Sequence, residues 1–167
     1  LPRPLCIRDR IDVLEENSPD VFQWRDDSVS VFLDPMQPRP TLLIAGAGRV
    51  GQALCHLGNW LDFNVVIVDD RADFASEERL PEAKQVIIGD IAKELQKDPI
   101  SRLTYVVIVT RGHHHDEAAL HSVVESDASY IGMIGSRRKV KLIFDELIEL
   151  GVSEDDLARV YSPIGLD

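Results

Sequence analysis

The sequence predicts an α/β protein, a doubly wound parallel sheet preceded by a short N-terminal arm. Three observations predict it. Five short runs, TLLIAG, NVVIVDD, KQVIIGD, YVVIVT and SYIGMIG, are apolar without polar alternation, as strands buried on both faces are. Stretches with helical spacing separate most of these runs. A glycine-rich turn, GAGRVG, joins the first run to its helix. Strands that alternate with helices in this way form a parallel sheet with helices on both sides.

Along the chain, residues 1–40 read as an arm or remnant followed by a linker. SVSVFLD alternates like a short strand, RIDVLEE is too short to classify, and DPMQPRP is a proline-rich break. The main domain is expected over 41–167. After the first strand, Val50, Ala53, Leu54, Leu57 and Leu61 recur at helical spacing. Further helices are expected at 91–97, 115–126 and 137–149, and the link between the second and third strands is less regular. In GVSEDDLARV, Ser153 is placed to cap a short helix whose first turn is acidic. YSPIGLD reads as the start of a sixth strand or its loop.

Composition narrows the function classes. The 167 residues suffice for one sizeable core, and 44% hydrophobic with 28% charged residues describes an ordinary globular chain. Eighteen Lys and Arg against 29 Asp and Glu give a net charge of -11, which repels polyanions and excludes nucleic acid as the expected partner. No apolar run reaches membrane-spanning length and LPRPLCIRDR has no signal-peptide core, so no membrane partner and a cytoplasmic location are expected. The chain opens on Leu1 rather than Met, as a processed or partial chain does. Cys6 and Cys55 stand in neither a CxxC nor a zinc-like spacing, and Cys55 reads as a small buried hydrophobe on a helix.

The glycine turn carries the first functional signal. Gly46 suits the tight turn, Gly48 lets a pyrophosphate approach the backbone, and Gly51 lets the helix lie close to the strand. Asp69 follows Gly46 by 23 residues, at the end of the second strand, where an acid can accept hydrogen bonds from a ribose diol. Together these mark a Rossmann-like nucleotide or cofactor site. Arg71 is placed to meet a 2′-phosphate, although the acid before it favours an unphosphorylated ribose. Arg49 either adds a cation to a phosphate or points to solvent.

Two further clusters follow later strands. In YIGMIGSRRK, Gly135 precedes Ser136, Arg137, Arg138 and Lys139 at a helix start, a combination of backbone N–H groups, hydroxyl and guanidiniums that traps anions. TRGHHHD follows the fourth strand, beside the glycine turn in a doubly wound order, at the crevice where such sheets bind ligands. Thr110, Arg111, Gly112, His113 and His115 are therefore expected to face that crevice, with Asp116 as the helix cap and first-turn acid. His113 and His115 have a spacing seen in metal loops, but no third ligand is evident, so no metal site is expected. Between the two, His113 is expected to matter more to a ligand than His114.

Taken together, GAGRVGQAL, VVIVDDR, TRGHHHD, YIGMIGSRRK and the closing PIGLD resemble, in order and spacing, the XdhC/CoxI family of xanthine dehydrogenase accessory proteins. The likeness covers about residues 30–167 and that family's C-terminal Rossmann domain; the family's N-terminal module has no counterpart in it. The resemblance implies a chaperone more than a catalyst, with no catalytic residue of its own. It would bind the molybdenum cofactor (molybdopterin), protect it during sulfuration and hand it to a molybdenum hydroxylase apoenzyme. A cysteine desulfurase and a second copy of the chain, as a homodimer, are further partners it suggests. By position it points to Gly46, Gly48, Gly51, Asp69, Arg111, Gly112, His113, Asp116, Gly132, Gly135, Ser136 and Lys139.

Two alternatives belong to other classes. One is an NAD(P)-dependent oxidoreductase with His113 or His115 as acid/base and Lys139 orienting a carbonyl. The other is a nucleotide-sensing regulatory domain, which has no need of TRGHHHD or SRRK.

Overall fold

The computed structural model describes residues 22–25, 30–33 and 38–165. The chain divides into two compact units, Leu1–Pro38 and Arg39–Asp167. In the first, strands β1 (Phe22–Arg25) and β2 (Ser30–Leu33) pair antiparallel, with Phe22 opposite Leu33 and Arg25 opposite Ser30. SVSVFLD thus supplies β2, and FQWR supplies a partner strand that its own pattern does not announce. RIDVLEE and most of DPMQPRP lie outside the described residues.

The second unit is built on six strands: β3 (Thr41–Ala45), β4 (Asn64–Asp69), β5 (Gln85–Ile88), β6 (Thr104–Ile108), β7 (Tyr130–Met133) and β8 (Val160–Tyr161). Their order is β5-β4-β3-β6-β7-β8 and every neighbouring pair is parallel. The sheet is the doubly wound one that the apolar runs predict, and the sixth strand is Val160–Tyr161, just ahead of SPIGL. The strand order reverses between β3 and β6, so the loops after these two strands flank the switch point where open α/β sheets hold ligands.

Helices α1 (Arg49–Trp60), α2 (Ile91–Leu95), α3 (His113–Val123), α4 (Arg137–Glu149) and α5 (Glu154–Ala158) complete it. Two apolar clusters sandwich the sheet. Ile91 and Leu95 of α2, Leu120 and Val123 of α3, Val140, Ile143 and Leu147 of α4, and Leu157 of α5 close over Val106, Ile108, Ile131 and Met133. Cys55 of α1, with Ala75 and Leu80 from the irregular link between β4 and β5, closes over Ile44, Ile67 and Val107 on the other side. Each fully buried branched side chain contributes about 1.5–3 kcal/mol. Ser153 caps α5 as expected, accepting from the Asp156 N–H at 3.1 Å.

Helix α1 departs from its sequence pattern. Most of the stripe that marks it as a helix is not the face it buries: Leu54 packs at the edge of the core, but Val50, Leu57 and Leu61 are 44%, 49% and 60% exposed, and Trp60 is 76% exposed. Gly51, Cys55 and Gly58 face the sheet instead. A Cβ on Gly51 would stand 1.9 Å from the Gly46 carbonyl oxygen, and one on Gly58 would stand 2.6 Å from Leu42 Cδ2. The helix lies too close to the strands for larger side chains. Burial pushes the Cys55 thiol up from its ordinary value, as suits a packing residue.

Helix α3 begins two residues earlier than its pattern suggests, so the three histidines form its first turn rather than a loop. Its cap is Gly112, with φ at 93°, and not Asp116. Among the described residues no helix is long and apolar enough to cross a membrane.

Candidate functional site

The glycine turn is shaped by its neighbours. Gly46 adopts φ 116°, and a Cβ there would come within 2.6 Å of the Val109 carbonyl oxygen, so the turns after β3 and β6 touch. At Gly48 a Cβ would meet nothing within 4 Å. The first N–H groups of any α-helix have no intrahelical partner. No side chain caps those of α1, and no acid occupies its first turn. The result is an open cradle with the positive end of a helix behind it, which suits an anion. Arg49 is exposed beside it.

Asp69 is turned inward. The residue is 1% exposed, and its carboxylate accepts from the Ala47 N–H at 2.7 Å, the Arg71 N–H at 2.9 Å, Arg71 Nε at 2.8 Å and Arg71 Nη2 at 2.8 Å. Burial pushes its pKa up, but the hydrogen bonds from Arg71 and Ala47 and the guanidinium charge outweigh that and hold it at about 2. Asp69 therefore fastens the glycine turn to the end of β4, with its acceptor positions filled by the protein itself. Arg71 is spent on the same carboxylate and lies over the Phe74 ring at 3.9 Å.

Asp70 takes the outward position. Arg111 Nη2 donates to Asp70 Oδ2 at 2.7 Å, which brings the TRGHHHD segment to the end of β4. Next to this pair a pocket of about 290 Å³ is lined by Asp70, Gly89, Asp90, Ile91, Ala92, His115 and Ala118. His115 is the histidine that reaches it. His113 is drawn to α4, where its Nε2 lies 2.6 Å from Glu146 Oε2. His114 is almost fully exposed.

Asp116 is fully buried and joins three elements: the Thr110 hydroxyl donates to one carboxylate oxygen and Lys139 Nζ to the other. A buried carboxylate needs such a cation. Lys139 is thereby committed to the protein interior rather than to a ligand or a carbonyl. Ser136 caps α4 by accepting from the Lys139 N–H at 3.2 Å, and Gly135 lies against the Lys139 side chain. Arg137 and Arg138 are exposed and, among the described residues, have no ion-pair partner. The expected anion trap at SRRK reduces to these two guanidiniums.

The structure thus brings together Gly46, Gly48, Gly51, Arg111, Gly112 and His115 at the switch point. It sends His113 elsewhere and occupies Asp69, Arg71, Thr110 and Lys139 with internal bonds. Sequence reasoning did not find the outward role of Asp70, the turn at 89–92, or Glu146. Asp70 carries a signal in the sequence, since a doublet of acids ends β4 and only one can point inward.

Residues 42–167 match the family of the XdhC Rossmann domain. The chain belongs to that family. It is 27% identical over 173 residues to the uncharacterised protein YqeB of Escherichia coli (strain K12), an alignment that takes in 95% of this chain and 32% of that protein. It is 24% identical over 141 residues to a Bacillus subtilis (strain 168) protein described as a probable xanthine dehydrogenase subunit, covering 84% of this chain and 41% of the relative. The chain therefore spans well under half the length of both. Among solved structures it is similar to a protein described as a xanthine dehydrogenase from Bacillus halodurans, with a TM-score of 0.67 and 28% identity over 78% of this chain and 37% of that one.

Proposed function

We propose that residues 41–167 form the cofactor-binding Rossmann domain of an accessory protein that binds molybdenum cofactor and assists its insertion into a xanthine-dehydrogenase-type molybdenum hydroxylase. The observation that carries this reading is the cradle at Gly48: open space where a side chain would stand, at an uncapped helix N-terminus, touching the turn that holds Arg111. Molybdopterin bears a phosphate, and the amides of α1 with Arg111 would hold it. The pocket beside Asp70 and His115 has room for the attached ring system or nucleotide. When bound, the cofactor supplies the dithiolene-held molybdenum that the hydroxylase needs. This chain's part is to grip its phosphate end. The inward turn of Asp69 weighs against a nicotinamide dinucleotide, whose ribose diol relies on a free acid at that strand end.

The test is co-elution. Protein incubated with molybdenum cofactor is expected to carry molybdenum through gel filtration, and Gly48→Val to lose it with an unchanged circular dichroism spectrum, because the new side chain enters open space rather than the core. Equal molybdenum on both proteins, or none on the wild type, overturns the reading. Tight binding of NAD(P) in place of the cofactor points to the oxidoreductase class.

A further inference from the structure

His113 and Glu117 stand one helical turn apart on α3, and Glu146 approaches them from α4. One ligand atom from each, an imidazole nitrogen or a carboxylate oxygen, lies within 4.8 Å of the other two, and all three residues are half-buried. His113 Nε2 and Glu146 Oε2 meet at 2.6 Å, and His114 Nδ1 lies 3.8 Å from Glu117 Oε2. Among the described residues neither glutamate has a Lys or Arg partner. Two carboxylates therefore converge on one imidazole, partly withdrawn from water and without a fixed cation to balance them. Such a group is short of positive charge.

We infer that His113, Glu117 and Glu146 form a binding site for a divalent first-row transition-metal ion such as Zn²⁺. One imidazole and two carboxylates are a ligand set that such ions accept, and three protein ligands leave a position open for water or a further donor. Around zinc at its usual bond lengths, ligand atoms are about 3.3 Å apart. To reach that spacing the 2.6 Å pair must open slightly and the wider separations, all within 4.8 Å, must close. The ion would tie the start of α3 to the last turn of α4. It would also hold the imidazole of His113 away from the pocket that His115 lines. None of its three residues lines the pocket beside Asp70, and the inference does not depend on what binds at Gly48.

The three consecutive histidines are themselves able to chelate zinc from the surface, so the test separates the two kinds of site. Chelator-treated full chain is titrated with Zn²⁺ by calorimetry and with Co²⁺ by visible absorption. The wild type is expected to bind one ion per chain. Glu117→Gln and Glu146→Gln are each expected to weaken it at least tenfold, and His114→Ala and His115→Ala to change it less than threefold. Glu117→Gln leaves the His113–Glu146 contact in place, so its metal-free thermal midpoint should match the wild type while its metal-induced rise disappears. If the wild type binds no ion at micromolar concentration, the site does not exist. Wild-type affinity in both glutamine variants together with a loss in His114→Ala or His115→Ala assigns the metal to the exposed histidines and overturns the proposal.

Discussion

Helices α1 and α4 both start at the carboxyl edge of the sheet and both show a clear apolar stripe, yet they meet the sheet differently. Helix α4 buries the stripe its sequence displays, through Val140, Ile143 and Leu147. Helix α1 buries Gly51, Cys55 and Gly58 and leaves Val50, Leu57 and Trp60 to solvent. The difference lies in what precedes them. Helix α4 follows a turn closed by the Ser136 hydroxyl, and its spacing from the sheet is set by branched side chains. Helix α1 follows a turn that is open at Gly48, and its own backbone is drawn against Gly46. Close backbone packing at the glycine turn takes precedence over apolar burial.

The comparison can be broken at its tightest points first. On α4, Leu147→Ala removes a fully buried side chain and is expected to cost about 2–5 kcal/mol. On α1 the sign of the volume change reverses: Gly51→Ala adds one methyl against a backbone oxygen and is expected to cost about 3 kcal/mol. Denaturant unfolding measures both. A neutral Gly51→Ala would mean that α1 can withdraw from the turn.

The fastening of the turn comes next. The pKa of Asp69 falls from 3.8 to about 2 on folding, so its ionised form stabilises the native state above about pH 4, and that contribution is lost as the pH falls towards 2. The amount is about 2 kcal/mol. Asp69→Asn should remove it at neutral pH and flatten the acid side of the stability profile. Parallel profiles for wild type and variant would show that Asp69 does not fasten the turn. The smallest effect is expected on the outer face of α1, where Trp60→Ser should change stability by no more than about 0.5 kcal/mol. A larger loss would reveal that this stripe is covered.

These contrasts also show what the sequence could display. The parallel sheet was legible in unalternating apolar runs that mark five of its six strands, because strands buried on both faces leave that imprint whatever they pack against. The glycine spacing foretold three distinct backbone roles, and each appears: a left-handed turn at Gly46, open space at Gly48, close approach at Gly51. Side-chain direction was not legible. TRGHHHD gives three consecutive histidines in a first helical turn, where steps of about 100° send each to a different neighbour. His113 meets Glu146, His114 meets water, and His115 meets the pocket. The expectation that His113 and His115 would both face the crevice, with His114 turned away, assumed a loop, and only His115 lines the pocket. Asp116 likewise looked like a cap, because nothing local reveals that Lys139, 23 residues later, folds back onto it.

The pairing of Arg111 with Asp70 has a consequence for how an anion arrives. The guanidinium is already neutralised, so a phosphate that binds it exchanges places with the protein's own carboxylate instead of setting free a mobile counter-ion. Raising the ionic strength then weakens the incoming anion and the outgoing carboxylate alike, and affinity should fall less steeply with salt than it would at an unpaired arginine. The dislodged Asp70 remains on the wall of the pocket it shares with His115. There it would be placed to accept from ring N–H or sugar hydroxyl groups of a ligand bound as proposed.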